Sequence, residues 1–324
     1  MRRLSFLFAV LASCSGDDGS GGATGDGGAT TGGTALTPVT SGTSQGSEAE
    51  ETAATPADAE GDGSDSSGGD ADSTGDAPMA CGSDPGFSGS AASTIEVAGV
   101  SRTYLVALPD AYDPDTQYPL IFAWHGRGGS ASLAAAYFGI EEAAAGEAIV
   151  VYPDGLPLAS MGGATGWELE ANSVDVQFFD AVLEELSNNL CVDSERIFST
   201  GHSFGGYMSN TIGCARPDVV RAIAPVAGGG PFFTCDSGVS AWITHGNPDG
   251  TVPFSQGEGS RDVWVAANGC SPRTQATAPD PCVAYQGCAE GSSVVWCPHT
   301  ETGQGGHLWP SFAAEAIWGF FAAF

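Results

Sequence analysis

Arg196-Ile197-Phe198-Ser199-Thr200-Gly201-His202-Ser203-Phe204-Gly205-Gly206 places a serine between glycines, where a run with strand character meets one with helical character. Arg196 to Thr200 predicts a strand, and Phe204 to Ala215 predicts an amphipathic helix. A turn that abrupt strains the backbone at the serine and crowds its flanks, so glycine is needed two residues to either side. The G-x-S-x-G pattern alone says little. A chain with 48 glycines in 324 residues holds on the order of one such pattern by chance. Gly42-Thr43-Ser44-Gln45-Gly46 is a second copy, with no strand before it and no helix after it. Context therefore selects Ser203 as the candidate nucleophile.

The segments around this turn alternate. Thr94 to Val97 and Arg102 to Leu108 predict an antiparallel pair about Gly99. Leu120 to Trp124 predicts a fully apolar strand, Ala131 to Ala145 an alanine-rich helix and Ala148 to Tyr152 the next strand. Val174 to Leu190 repeats apolar residues at helical spacing through Val176, Phe179, Val182, Leu183 and Leu186. Strands Ala222 to Val226 and Ala241 to Thr244 follow, then a helix Arg261 to Ala267, a cysteine hairpin and a terminal helix Phe312 to Ala323. Apolar strands between helices predict a mostly parallel sheet covered on both faces. With antiparallel strands at its start, this is the α/β-hydrolase layout.

A serine hydroxyl needs a base, and the base needs an orienting acid. In this layout the chain order is serine, acid, histidine. His125 and His202 precede Ser203, and His245 ends a strand before any suitable acid, so His299 and His307 remain. His307, in Gly305-Gly306-His307-Leu308-Trp309-Pro310, lies in a glycine-rich loop that can bring an imidazole over the sheet. His299 stands two residues beyond Cys297, on the hairpin, and is the alternative. Asp249 follows the strand ending at Thr244, on the side where parallel sheets place their reactive groups. Asp218 and Asp236 lie at the opposite edge. Two backbone N–H donors should hold the oxyanion: one from Phe204, the other from His125-Gly126-Arg127-Gly128-Gly129-Ser130, with Arg127 preferred and Gly126 next. That loop lacks the Gly-Lys-Ser/Thr ending of a phosphate cradle. Trp167 and Trp309, with His125, are candidate substrate contacts, whereas Asp154 and Asp175 read as caps or loop ties.

Several of these segments together resemble the secreted feruloyl esterases and polyhydroxybutyrate depolymerases of carbohydrate esterase family one. They are Trp124 to Ser130, Asp175 ahead of Phe178, Leu190-Cys191-Val192-Asp193, the serine turn, Ala224-Pro225-Val226-Ala227-Gly228, the Asp249 segment and Gly306-His307. The resemblance spans nearly all of residues 81–324. It implies an α/β-hydrolase that cleaves carboxylic esters, often hydroxycinnamoyl or acetyl groups on plant cell-wall polysaccharide, without metal or cofactor. Position by position it implies Ser203 as nucleophile, Asp249 as acid, His307 as base, and Phe204 with the His125 to Gly129 loop as oxyanion hole. A polyhydroxyalkanoate depolymerase is the alternative within this chemistry. A peptidase on the same fold and a non-catalytic carbohydrate-binding surface protein are the readings from other classes.

Composition divides the chain. Residues 1–13, Met1-Arg2-Arg3 followed by a short apolar run, predict a signal segment, and Leu11-Ala12-Ser13-Cys14 resembles a bacterial lipobox that would leave Cys14 acylated. Residues 14–80 predict a disordered acidic tether of Gly, Ser, Thr and Ala, with 13 acids and no Arg. Its flexible reach is roughly 45 Å. Residues 81–324 predict the esterase domain. The net charge of −30 opposes nucleic-acid binding and a basic membrane-surface site, leaving a lipid on Cys14 as the expected membrane contact. No obligate protein partner is implied. Eight further cysteines in an exported chain predict four disulfides. Cys282 to Tyr285 and Val294 to Cys297 form the arms of a predicted hairpin, which pairs Cys282 with Cys297 and leaves Cys288 for Cys270. Cys81, Cys191, Cys214 and Cys235 stay unassigned.

Overall fold

The computed structural model describes residues 81–82 and 91–324. The expected signal segment, the Cys14 lipidation site and the tether lie outside the described residues.

Ten strands form one sheet: β1 (Ala91–Val97), β2 (Val100–Ala107), β3 (Tyr118–Trp124), β4 (Ile149–Pro153), β7 (Val192–His202), β8 (Ala222–Val226), β9 (Ser240–Gly246), β10 (Ser271–Ala276), β11 (Val283–Gln286) and β12 (Val294–His299). A separate small hairpin is made by β5 (Leu156–Pro157) and β6 (Thr165–Gly166). The large sheet runs β1-β2-β4-β3-β7-β8-β9-β12-β11-β10. Its central strands, from β4 to β12, are parallel, and antiparallel pairs close both edges. The structure is thus the α/β-hydrolase fold that the alternation predicts.

Strand periodicity explains how the sheet is covered. Every residue of β3 is buried, yet its side chains divide by alternation. Leu120, Phe122 and Trp124 enter the core beneath α3 (Val174–Asn189), α4 (Phe204–Ala215) and α5 (Phe254–Ala267). Ile121 and Ala123 enter the opposite core beneath α1 (Ala131–Phe138), α2 (Ile140–Ala144) and α6 (Ala313–Phe321). Full burial of each such large apolar side chain contributes about 1.5–3 kcal/mol.

The predicted helix Ala131 to Ala145 is two helices. Gly139 takes φ 66° between them, a left-handed angle that ends the first helix and turns the chain into the second. The unbroken alanine-rich pattern hides this break. The helix expected from Arg261 begins earlier, at Phe254, and β10 adds an edge strand with an exposed, polar face that carries no apolar signal.

All eight described cysteines are paired. The hairpin register sets Val283 opposite Trp296, next to the Cys282–Cys297 bond, and Cys270 pairs with Cys288. The remaining bonds are Cys81–Cys191 and Cys214–Cys235. The first spans 110 positions, a separation at which only the tertiary arrangement can identify the partner.

Candidate active site

The turn between β7 and α4 holds Ser203 at φ 58° and ψ −119°, a conformation a serine adopts only when its surroundings enforce it. The enforcement is visible at Gly205, where a Cβ would collide with the carbonyl of Trp124, and at Gly201, where one would meet the backbone of Gly205. With no side chains at these positions, β3 and the start of α4 close on each other and expose Ser203 at the carboxyl end of the parallel strands.

Three side chains from distant segments meet there. His307 Nε2 lies 2.7 Å from Ser203 Oγ, and His307 Nδ1 lies 2.8 Å from Asp249 Oδ2. A proton on Nδ1 directed at the carboxylate leaves Nε2 as the acceptor for the serine hydroxyl. Asp249 Oδ1 accepts the N–H groups of Thr251 and Val252, both at 2.8 Å. Burial alone would raise the Asp249 pKa, but these N–H bonds and His307 hold it below its usual value. The carboxylate is therefore ionised at neutral pH and held in one orientation.

His245, which chain order sets aside as a base, supports this carboxylate. Its side chain is fully buried, with Nε2 2.9 Å from the Val252 carbonyl and 3.2 Å from Asp249 Oδ2. Burial lowers its pKa, so the ring is neutral, and a proton on Nε2 serves both oxygens. Its sequence signal is position, at the end of β9 four residues before the acid. His299 is buried at the end of β12 with its ring edge-on to Phe312, and it does not reach Ser203.

The loop after β3 folds against the serine turn. A Cβ on Gly126 would lie 3.3 Å from Ser203 Cβ. Gly128 N–H donates to Thr165 O and Gly129 N–H to Gly126 O. Arg127 N–H, on this loop, is not used in these bonds, and Phe204 N–H, at the first position of α4, has no intrahelical acceptor. The Arg127 guanidinium donates to the Met161 carbonyl at 3.0 Å, which ties the loop to the segment between β5 and β6. Gly126 contributes its carbonyl, which meets both Gly129 N–H and His125 Nδ1.

The three expected substrate contacts require correction. His125 is 2% exposed, with Nδ1 2.7 Å from Gly126 O and Nε2 accepting from Gly155 N–H at 2.9 Å. Both ring nitrogens are occupied in bracing the loop, so none faces a substrate. Trp309 stacks on Phe138, with ring centroids 4.3 Å apart, in the core under α1 and α6. The chain turns inward after His307, and the tryptophan anchors it there. Trp167 is 1% exposed, packs edge-on to Trp124 and donates Nε1 to the His125 carbonyl, so it backs the wall of an open groove next to Phe204 and presents little of its ring to a substrate. That groove, of about 920 Å³, is bounded by Leu158, Met161, Trp167, Phe204, Phe232 and Phe233.

Asp154 and Asp175 act as ties. Asp154 Oδ1 accepts Ala131 N–H at 2.6 Å, at the start of α1. Asp175 Oδ1 meets the buried Arg102 guanidinium at 2.6 Å, and its Oδ2 accepts Glu168 N–H at 2.7 Å, holding the residue beside Trp167. Among the described residues no three His, Cys, Asp or Glu side chains converge to hold a metal ion, and no helix is long and apolar enough to cross a membrane.

The chain is 35% identical to feruloyl esterase D of Neurospora crassa over 273 residues, covering 75% of this chain and 89% of that protein. It is 33% identical to feruloyl esterase C of Emericella nidulans, covering 68% and 84% respectively. The chain belongs to the feruloyl esterase family. Like the feruloyl esterases, it is a carboxylic ester hydrolase. Residues 149–263 also match the prolyl oligopeptidase family, a stretch that includes Ser203 and Asp249 and stops short of His307. Among solved structures, acetyl xylan esterase from Aspergillus awamori aligns with a TM-score of 0.56 at 14% identity, covering 71% of this chain and 99% of that one. A ferulic acid esterase aligns with a TM-score of 0.53, also at 14% identity, covering 73% and 99%. At these identities the two likenesses speak for the fold.

Proposed function

We propose that this feruloyl esterase relative acts outside the cell on feruloyl or acetyl esters of plant cell-wall polysaccharide, through an acyl-enzyme on Ser203. The hydrogen-bonded series Ser203–His307–Asp249, with an aromatic-lined groove that begins at Phe204 next to the serine, is the observation that carries this reading. His307 removes the serine proton as Oγ attacks the ester carbonyl, and the tetrahedral oxyanion lies between the N–H groups of Phe204 and Arg127. His307 then returns the proton to the departing alcohol oxygen, and a water activated by the same nitrogen releases the acid. Asp249 keeps the imidazole oriented and stabilises its charged form. No step requires a group other than these side chains, backbone amides and water.

The groove residues support an acyl group with a flat apolar body, since Phe204, Phe232 and Phe233 offer ring faces and edges in front of the buried Trp167. Four disulfides support an oxidising location. The export segment, an acylated Cys14 and a tether to residue 80, followed by a domain over residues 81–324, complete the proposal on sequence grounds.

The test is a substrate panel run on wild type and Ser203→Ala. Wild type should hydrolyse methyl ferulate or an aryl acetate and become labelled at Ser203 by a fluorophosphonate. Ser203→Ala should lose about 10⁴-fold or more in kcat and all labelling. Turnover of a chromogenic amide in preference to esters would favour a peptidase, and release of hydroxyacid from polyhydroxybutyrate alone would favour the depolymerase. Full ester hydrolysis by Ser203→Ala would refute the proposed mechanism.

A further inference from the structure

Five large hydrophobic side chains stand out as exposed among the described residues, and two of them, Leu133 at 62% and Tyr137 at 42%, lie four positions apart on α1. Residues at that spacing share one helix face, and the exposed Ser132 and Ala136 lie between and beside them. The whole helix, Ala131–Phe138, carries no charged residue. That is unusual for this protein, whose residues 81–324 hold 26 acids and 7 arginines. An acidic surface thus gives way to an uncharged, partly aromatic strip on the helix that follows the oxyanion loop.

The strip adjoins the active-site histidine. Tyr137 Oη accepts the Trp309 N–H at 2.8 Å, two residues beyond His307. The Tyr137 ring stands edge-on to His202, with centroids 5.8 Å apart, and His202 lies 4.9 Å from the His307 ring. Leu133 sits one turn earlier, near the Ser130 cap that ends the oxyanion loop. Tyr137 is therefore joined to His307 through the buried His202 ring on one side and the Trp309 N–H on the other.

The chemistry gives that direction a meaning. In an acyl transfer the histidine must hand its proton to the leaving oxygen, so the alcohol half of the ester lies on the histidine side of the serine. The acyl half is directed to the groove containing Trp167 and Phe232. We propose that the exposed face of α1, centred on Tyr137 and Leu133, is the binding site for the alcohol half of the substrate, and that this half is a neutral sugar. The inference rests on the proposed esterase reading, from which a sugar alcohol follows, and adds where on the fold that leaving group sits. An aromatic ring beside an aliphatic side chain suits the C–H face of an uncharged pyranose or furanose. The lack of charge on the helix fits a ligand without charge. Continuity with the reacting histidine sets the site apart from an isolated apolar spot on the surface.

The experiment compares two esters that share an acyl group and differ in the alcohol: methyl ferulate and a feruloylated arabinoxylo-oligosaccharide. Wild type should favour the sugar ester in kcat/KM. Tyr137→Ala and Leu133→Ala should each lower the ratio of sugar-ester to methyl-ester kcat/KM by about 5–10-fold, mainly through KM, and Tyr137→Phe should retain most of it. Using the ratio cancels any general damage from the lost Tyr137–Trp309 hydrogen bond. A wild type without sugar preference, or variants whose ratio stays within twofold, would overturn the site. If neither feruloyl ester is cleaved, the acyl assignment has failed instead, and the same ratio is read with methyl acetate and acetylated xylo-oligosaccharide. A ratio that falls there keeps the α1 site, and one that does not removes it. Loss of activity confined to polyhydroxybutyrate would assign the strip to an apolar polymer and likewise refute the sugar.

Discussion

Asp175 shows how one side chain can hold a site it does not enter. One carboxylate oxygen meets Arg102 and the other holds Glu168 N–H, next to the groove tryptophan. Arg102 also lies over the Phe178 ring, 4.1 Å from its centroid, and reaches the Asp154 carbonyl. Both members of the ion pair are almost fully buried, so removing one charge leaves the other unpaired in a poorly solvating interior. Asp175→Asn should destabilise the domain by about 3–5 kcal/mol, measured as a shift in the urea midpoint. In the population that remains folded, KM for an aromatic ester should rise, because the Trp167 segment loses its tether. The sequence marks Asp175 as a loop tie, but its partner stands 73 positions earlier on a neighbouring strand, where no local pattern points to it.

At the level of elements, the sheet is most exposed to disruption at its far edge. β12 is the last parallel strand and β11 pairs with it as an antiparallel hairpin, whose arms the Cys282–Cys297 bond joins across a separation of 15 positions. β12 in turn lies beside β9, the strand that leads to Asp249, with Trp296 opposite Ile243 and His299 opposite Gly246. Replacing both cysteines by serine should cost about 3 kcal/mol in the loop-entropy account, seen as a lower denaturant midpoint. Since β12 also leads into the loop carrying His307, the loss in kcat should exceed the loss in folded fraction under mild denaturant. Equal losses would mean that the edge and the site are uncoupled. The serine turn is the opposite kind of element. Its requirement for Gly201 and Gly205 is local enough to be legible in the sequence, and its cause is the close approach of β3.

For the molecule as a whole, buried histidines make stability depend on pH. His125, His202, His245 and His299 all have pKa values lowered chiefly by burial. For His202 the value falls from 6.5 to about 3, with the charge of His307 adding to the desolvation. A base that is neutral when folded and protonated when unfolded favours unfolding as pH falls below its unfolded value. The stability is complete above about 6.5 and declines toward the folded value. At pH 5 His202 alone should account for about 2 kcal/mol of that loss. Asp249, also lowered, acts in the same direction at more acid pH. Urea midpoints measured at pH 7.5 and pH 5 should fall on acidification, and His202→Asn should reduce the difference. A midpoint independent of pH over this range would contradict the neutral, buried state of these rings.

The sequence by itself determined the alternation of strands and helices, the serine turn, the order of serine, acid and histidine, and the hairpin that aligns Cys282 with Cys297. These are consequences of periodicity, of steric demand at glycine and of separations short enough for local geometry to act. Only the tertiary structure decided the break at Gly139, the partners of Cys81 and Cys214, the inward turn of Trp309, and the use of His125 and His245 as braces. Each depends on which distant segments are brought into contact, and a side chain's role there follows from its neighbours in space. The uncharged strip of α1 belongs to both. Its composition is plain in Ala131 to Phe138, but its place beside His307 is a property of the folded chain.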